Sequence, residues 1–270
     1  MPRPQVQPHP APRGAGRRPA GHNADPDGWT PLPSIQVLGV RVDLLTQASF
    51  LALVARWVAE RAPRQVVTIN PEFVMRARDD PAFAAVLEAA DAATPDGVGV
   101  IWAGRRQGAH LPERVGGADV VVPLARQCAR LGHRLYLLGA AEGVAEQAAR
   151  RLQRLAPGLQ VAGTYAGAPH PAANEETVAL VRAAHPDILL VAYGSPAQDF
   201  WIARNRERLA VPVSIGVGGT FDYLAGVRRR APAWVRRLWL DWAFRLVTQP
   251  WRWRRMLSIP RFIWAVLRNG

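Results

Sequence analysis

The sequence of 270 residues contains no lysine; all 34 of its basic residues are arginine. A single cysteine, Cys128, excludes an internal disulfide and any cysteine-rich metal site. It lies in an apolar helical stretch and reads as a buried structural thiol. No uninterrupted apolar run approaches the ~18–20 residues that span a bilayer. Arg3, Arg13, Arg17 and Arg18 are not followed by the apolar segment of a secretory signal, so the expected compartment is the cytoplasm. There is no Walker A sequence and no Gly-x-Ser-x-Gly elbow, and Gly216-Val217-Gly218-Gly219 lacks the spacing of a dinucleotide fingerprint. His110, His133, His170 and His185 are scattered without ligand spacing, which argues against a metal site.

With 49% hydrophobic and 20% charged residues, the chain can bury a substantial core, so neither a wholly disordered protein nor a disulfide-stapled miniprotein fits. The net charge of +13 is unevenly placed. Residues 1–33 are rich in Pro, Gly, Ala and Arg and hold few large apolar side chains, so they read as a disordered tail. Asp25-Pro26-Asp27 resembles an Asp-x-Asp metal motif, but a Pro-rich tail offers no scaffold to fix a cation. Residues 227–270 carry eleven arginines and one acid, Asp241, a net +10. They also hold six of the ten tryptophans. Arg interleaved with Trp can bind nucleic acid, lie on an anionic membrane or clamp a phosphorylated ligand; a solvated basic helix face is the plain alternative. Arg237, Asp241 and Arg245 fall at i, i+4 and i+8, a charged stripe opposite apolar faces.

The middle alternates strands and helices. Strands are expected at 35–42, 65–69, 134–138, 159–163, 187–193 and 211–217. Helices are expected from Asp43 or Thr46 to Glu60, after Asn70-Pro71, after Asp80-Pro81, and over 118–131, 142–155, 175–184 and 198–209. Crossover connections imply a mostly parallel sheet with helices on both faces, a Rossmann-like α/β domain over 34–226 with a helical Arg/Trp-rich appendage over 227–270. Ligands of such sheets bind beyond the carboxyl ends of the strands.

That rule singles out Thr68-Ile69-Asn70, Pro95-Asp96-Gly97, Gly194-Ser195-Pro196-Ala197-Gln198 and Gly216–Asp222. Asp96 is a candidate general base or an ordinary Asp-Gly turn residue. Asn70 reads as a ligand contact or an N-cap, and Gln198 as a ligand contact or a solvated side chain. Asp222 reads as a ribose ligand or a helix cap.

These residues resemble the WecG/TagA/CpsF family of bacterial glycosyltransferases. The resemblance runs from about Ile35 to Phe262 through Thr68-Ile69-Asn70-Pro71-Glu72, Pro95-Asp96-Gly97, Glu113–Asp119, Leu137-Leu138-Gly139, Gly194–Asp199, Gly216–Asp222 with Gly226, Arg230-Ala231-Pro232 and Asp241–Leu246. Ala197-Gln198-Asp199 stands where the family usually has Lys-Gln-Glu, and Asp241-Trp242 where it has Glu-Trp; both keep the carboxylate, one methylene shorter. The resemblance implies an inverting, metal-independent transfer of a sugar from a UDP-sugar to a lipid-diphosphate-linked saccharide at the cytoplasmic membrane face, with no cofactor. It implies Asp96 as base and Thr68, Asn70, Arg114 and Gln198 as active-site positions. Gly139, Gly194, Gly218, Gly219, Asp222, Arg230 and Arg245 are the expected nucleotide-sugar contacts. A nucleic-acid-binding module fits the basic tail less well, because its aromatics sit at helical spacing with apolar flanks. An α/β oxidoreductase lacks its fingerprint.

Overall fold

The computed structural model describes residues 32–111, 113–232, 234–235, 241–248, 250 and 253–269. The expected tail up to residue 31, with Asp25-Pro26-Asp27, lies outside the described residues.

The described residues open on a hairpin, β1 (Ser34–Val37) and β2 (Val40–Asp43), where one strand was expected. Leu38 and Gly39 both adopt positive φ, the two-residue turn that matches the twist of an antiparallel pair. Then follow α1 (Gln47–Glu60), β3 (Arg64–Ile69), α2 (Pro71–Asp79), α3 (Pro81–Ala89), β4 (Ala92–Pro95), α4 (Val98–Arg106) and α5 (Gly117–Leu131). The second half runs β5 (Arg134–Gly139), α6 (Val144–Leu155), β6 (Gln160–Tyr165), α7 (Asn174–Ala183), β7 (Ile188–Ala192), α8 (Ala197–Leu209), β8 (Val213–Gly216) and α9 (Thr220–Leu224). Beyond these lie α10 (Asp241–Thr248), α11 (Trp253–Met256) and α12 (Ser258–Asn269).

Local chemistry sets the helix starts. Thr46 caps α1 through a reciprocal box with Ser49, Asn70 accepts from the amides of Glu72 and Phe73, and Asp80 accepts from Phe83. Gly132, in the left-handed region, ends α5. Helix α4 was not expected: Gly99 and Gly104 weaken its helical signal. Both glycines serve packing, since a Cβ would strike Pro71 at 2.6 Å or Leu111 at 2.5 Å.

Six strands form one parallel sheet in the order β4-β3-β8-β7-β5-β6. Alternate residues feed opposite faces. Leu135, Leu137, Ile188 and Leu190 pack under α1, α5 and α6, while Leu138, Leu189 and Val191 pack under α7 and α8. Cys128 is buried on the first face, and burial pushes its thiol up to about 12. The fold is therefore the expected three-layer α/β architecture. Helix α12 packs on α2 and α4, and Phe262 and Val266 are buried in the cluster that also holds Val67, Phe73 and Val100. Among the described residues, no helix is long and apolar enough to cross a membrane.

Candidate active site

The sheet order brings the carboxyl ends of β4, β3, β8 and β7 side by side. All four sequence segments with unusual polar chemistry sit there. They line an open, polar cleft of ≈ 410 Å³ walled by Thr68, Asn70, Asp96, Gly194, Ser195, Gln198, Gly218, Gly219 and Asp222.

Asp96 follows the last residue of β4, and its amide donates to the Ile69 carbonyl at 2.7 Å, tying the β4 end to the β3 end. Gly97, at φ +101°, turns the chain from strand into α4. The carboxylate lies on the backbone of Gly116: a Cβ there would sit 2.1 Å from Oδ1. Gly116 is therefore needed for Asp96 to adopt its position, a dependence that sequence spacing could not show.

Asn70 is an N-cap that also lines the cleft. Its Oδ1 caps α2 at 3.0 and 3.1 Å, which leaves the Nδ2 group as the part able to meet a ligand. Gln198 is buried rather than solvated; its Oε1 accepts the Gly218 amide at 3.0 Å and ties the β7 loop to the β8 loop. Asp222 lines the cleft and pairs with Arg228 at 3.0 Å.

The expected arginines distribute differently. Arg114 holds Asp119 through two bonds of 2.7 and 3.1 Å, and Arg230 donates to the same carboxylate and to the Ala118 carbonyl. Neither lines the polar cleft; Arg228 and Arg255 do. Arg255 is anchored by Glu72, its Nε donating to Oε1 at 2.6 Å. Sequence reading missed these two as site residues because eleven arginines in one segment give no means of choosing between them. The side chain of Arg245 lies outside the described residues. Gly139 does not line the cleft; it lets β5 pass close to β7, where a Cβ would meet the Ala192 carbonyl carbon at 2.8 Å. No group of three His, Cys, Asp or Glu residues able to hold a metal ion occurs among the described residues.

Beneath the cleft floor, Asp199 is fully buried beside Gln198, Ser195 and Gly216. Burial lifts its carboxyl from an ordinary 3.8 to about 7. The folded state thus binds a proton that the unfolded chain releases near pH 4. This contribution to stability is complete below that pH and fades as pH rises through about 7. Asp43, lifted by burial to about 6, acts in the same sense. The thermal midpoint of the native protein is expected to fall from pH 6 to pH 8.5 relative to that of Asp199→Asn, measured by calorimetry; parallel curves would refute a neutral buried Asp199.

A second cavity, of ≈ 370 Å³, opens on the other side of Asp96. Asn70, Glu72, Asp96 and Arg255 belong to both, whereas the rest of the second is mostly apolar, between α4 and α10–α12. Two carboxylates thus stand between a polar compartment and an apolar one: Glu72, which is engaged by Arg255, and Asp96.

A Rossmann-like sheet with its polar cleft at adjacent strand ends defines an α/β ligand-binding enzyme architecture. Residues 35–270 match the model of the glycosyl transferase WecG/TagA/CpsF family, and the chain belongs to that family. It is similar to N-acetylglucosaminyldiphosphoundecaprenol N-acetyl-beta-D-mannosaminyltransferases. That of Bacillus spizizenii is 37% identical over 204 residues, 76% of this chain and 79% of the relative. That of Bacillus subtilis is 33% identical, covering 79% and 82%, and that of Staphylococcus aureus 28% identical, covering 87% and 92%. The protein is a glycosyltransferase, and family membership removes the oxidoreductase alternative.

Proposed function

We propose that this protein transfers an N-acetylhexosamine from a UDP-sugar to the saccharide of a polyprenyl-diphosphate carrier, inverting the anomeric centre. The position of Asp96, shared by the polar and the apolar cavity, carries the reading. It is where a nucleotide-sugar in the cleft and a lipid-linked acceptor in the second cavity come within reach of one base. Asp96 takes the proton of an acceptor hydroxyl as that oxygen attacks the sugar carbon. The bond to the diphosphate breaks on the opposite face, and UDP leaves with the electron pair. A single displacement inverts the configuration.

Thr68, Asn70, Gln198, Gly194, Gly218, Gly219 and Asp222 form the walls against which the nucleotide-sugar is held. Arg228 and Arg255 meet the charge that develops on the departing diphosphate, and guanidinium forks suit its oxygens. In this reading protein groups alone neutralise the leaving group, and no metal is required. Arg114 and Arg230, both on Asp119, brace the second cavity and the start of the appendage.

N-acetylmannosamine is the sugar to test first, since the named relatives transfer it to diphosphoundecaprenol-linked N-acetylglucosamine. A panel of UDP-sugars with lipid-diphosphate-linked N-acetylglucosamine, read as UDP release and product mass, is expected to give transfer from UDP-N-acetylmannosamine. UDP-glucose or the uronic acid working instead would correct the sugar. Release only without acceptor would contradict the reading.

The acceptor resides in a bilayer, so the enzyme works at its surface, on the inner face where UDP-sugars are made. Trp253, Trp264 and Leu267 are each at least half exposed on the Arg-rich helices. An exposed apolar set rimmed by arginine suits an anionic leaflet. Removing residues 227–270 would also pull Phe262 from the core, at about 3–5 kcal/mol for that side chain alone, so point substitutions are the cleaner probe. The triple change of Trp253, Trp264 and Leu267 to Ala is expected to weaken co-sedimentation with anionic vesicles on the order of 100-fold. Unchanged binding would place the membrane contact elsewhere.

A further inference from the structure

We infer that the apolar cavity beside Asp96 seats the first isoprene units of the polyprenyl acceptor, so that the enzyme grips the lipid chain as well as the sugar. This rests on the transfer reading above. Three observations converge. The cavity wall is built from Trp102 of α4, Trp242 of α10, Met256 of α11, and Ile259, Phe262 and Ile263 of α12. Its polar end holds Asp96, Asn70, Arg114 and Arg255. Its outer end reaches the surface, because Trp242 and Ile263 line it and yet are 41% and 42% exposed.

An acceptor has its polarity in the same order. The attacking hydroxyl belongs at Asp96, the diphosphate lies one sugar ring further on, on the Arg114 side of the cavity, and the chain follows. A free sugar phosphate would leave the apolar wall wet, and an acyl lipid would bring no sugar ring to the polar end. The volume of ≈ 370 Å³ takes only a few isoprene units, so the remainder of the chain stays in the bilayer past Trp264 and Leu267, exposed on the same helix.

The test is binding of farnesyl diphosphate and of inorganic diphosphate to the full chain by calorimetry. The native protein is expected to bind the prenylated probe at least about tenfold more tightly. Ile259→Asp and, independently, Trp102→Ala are expected to erase that difference while leaving inorganic diphosphate affinity unchanged; the control and the second variant guard against a misfolded protein. Equal affinity for the two probes in the native chain, or a preference that survives both substitutions, would overturn the inference. So would displacement of farnesyl diphosphate by phosphatidylglycerol vesicles in the native chain alone, which would assign the cavity to membrane lipid. If the prenyl preference holds and no lipid-linked sugar is glycosylated, the transfer reading fails and the prenyl site stands. If transfer occurs without the preference, the seat alone fails.

Discussion

Asp96→Asn is expected to lower the transfer rate by about 10²–10⁴-fold, the usual contribution of a positioned base, while UDP affinity stays within a few fold. The substitution keeps the size of the side chain and its fit over Gly116, so the cleft is retained and only the proton acceptor is lost. Steady-state transfer and UDP titration on the same preparation separate the two. A rate near that of the native enzyme would remove Asp96 from the chemistry. Gly116→Ala should approach the same loss by a different route, because the added methyl occupies the place of the carboxylate oxygen.

Arg255→Ala is expected to cost about 10²–10³-fold in turnover, the scale seen when one preorganised charge donor is removed. Among the described residues it is the one arginine that lines both cavities, and Glu72 accepts from its Nε. In the proposed reaction the departing diphosphate would compete with Glu72 for the fork, so the interaction would grow as that group gains charge. Arg255→Lys retains the charge but loses the fork, and is expected to recover only part of the rate. An effect on donor KM with unchanged kcat would mean that Arg255 binds ground state and transition state equally.

Much of this was legible in the chain. Caps at Thr46, Asn70 and Asp80, with prolines behind two of them, mark helix starts by local chemistry. The β-branched runs mark strands buried on both faces. The rule that ligands gather at strand ends then selected Thr68, Asp96, Gln198 and the Gly216–Asp222 turn, because it needs only strand direction. What stayed hidden depends on contacts distant in sequence. Helix α4 went unread because its two glycines weaken the helical pattern; they admit the close approach of Pro71 and Leu111. The pairing of Arg230, an expected nucleotide-sugar contact, with Asp119, 111 positions away, could not be read from the chain. The wide apolar surface of the appendage implied packing on a core, but not which of its residues enter it; Phe262 and Val266 do.

The most direct test of the central claim is the rate of sugar transfer in the presence of EDTA, measured with the native enzyme and Asp96→Asn side by side. Transfer by the native enzyme should be unchanged by the chelator and should collapse with the substitution. A native enzyme silenced by EDTA and restored by a divalent cation would contradict an account in which arginines hold the departing diphosphate.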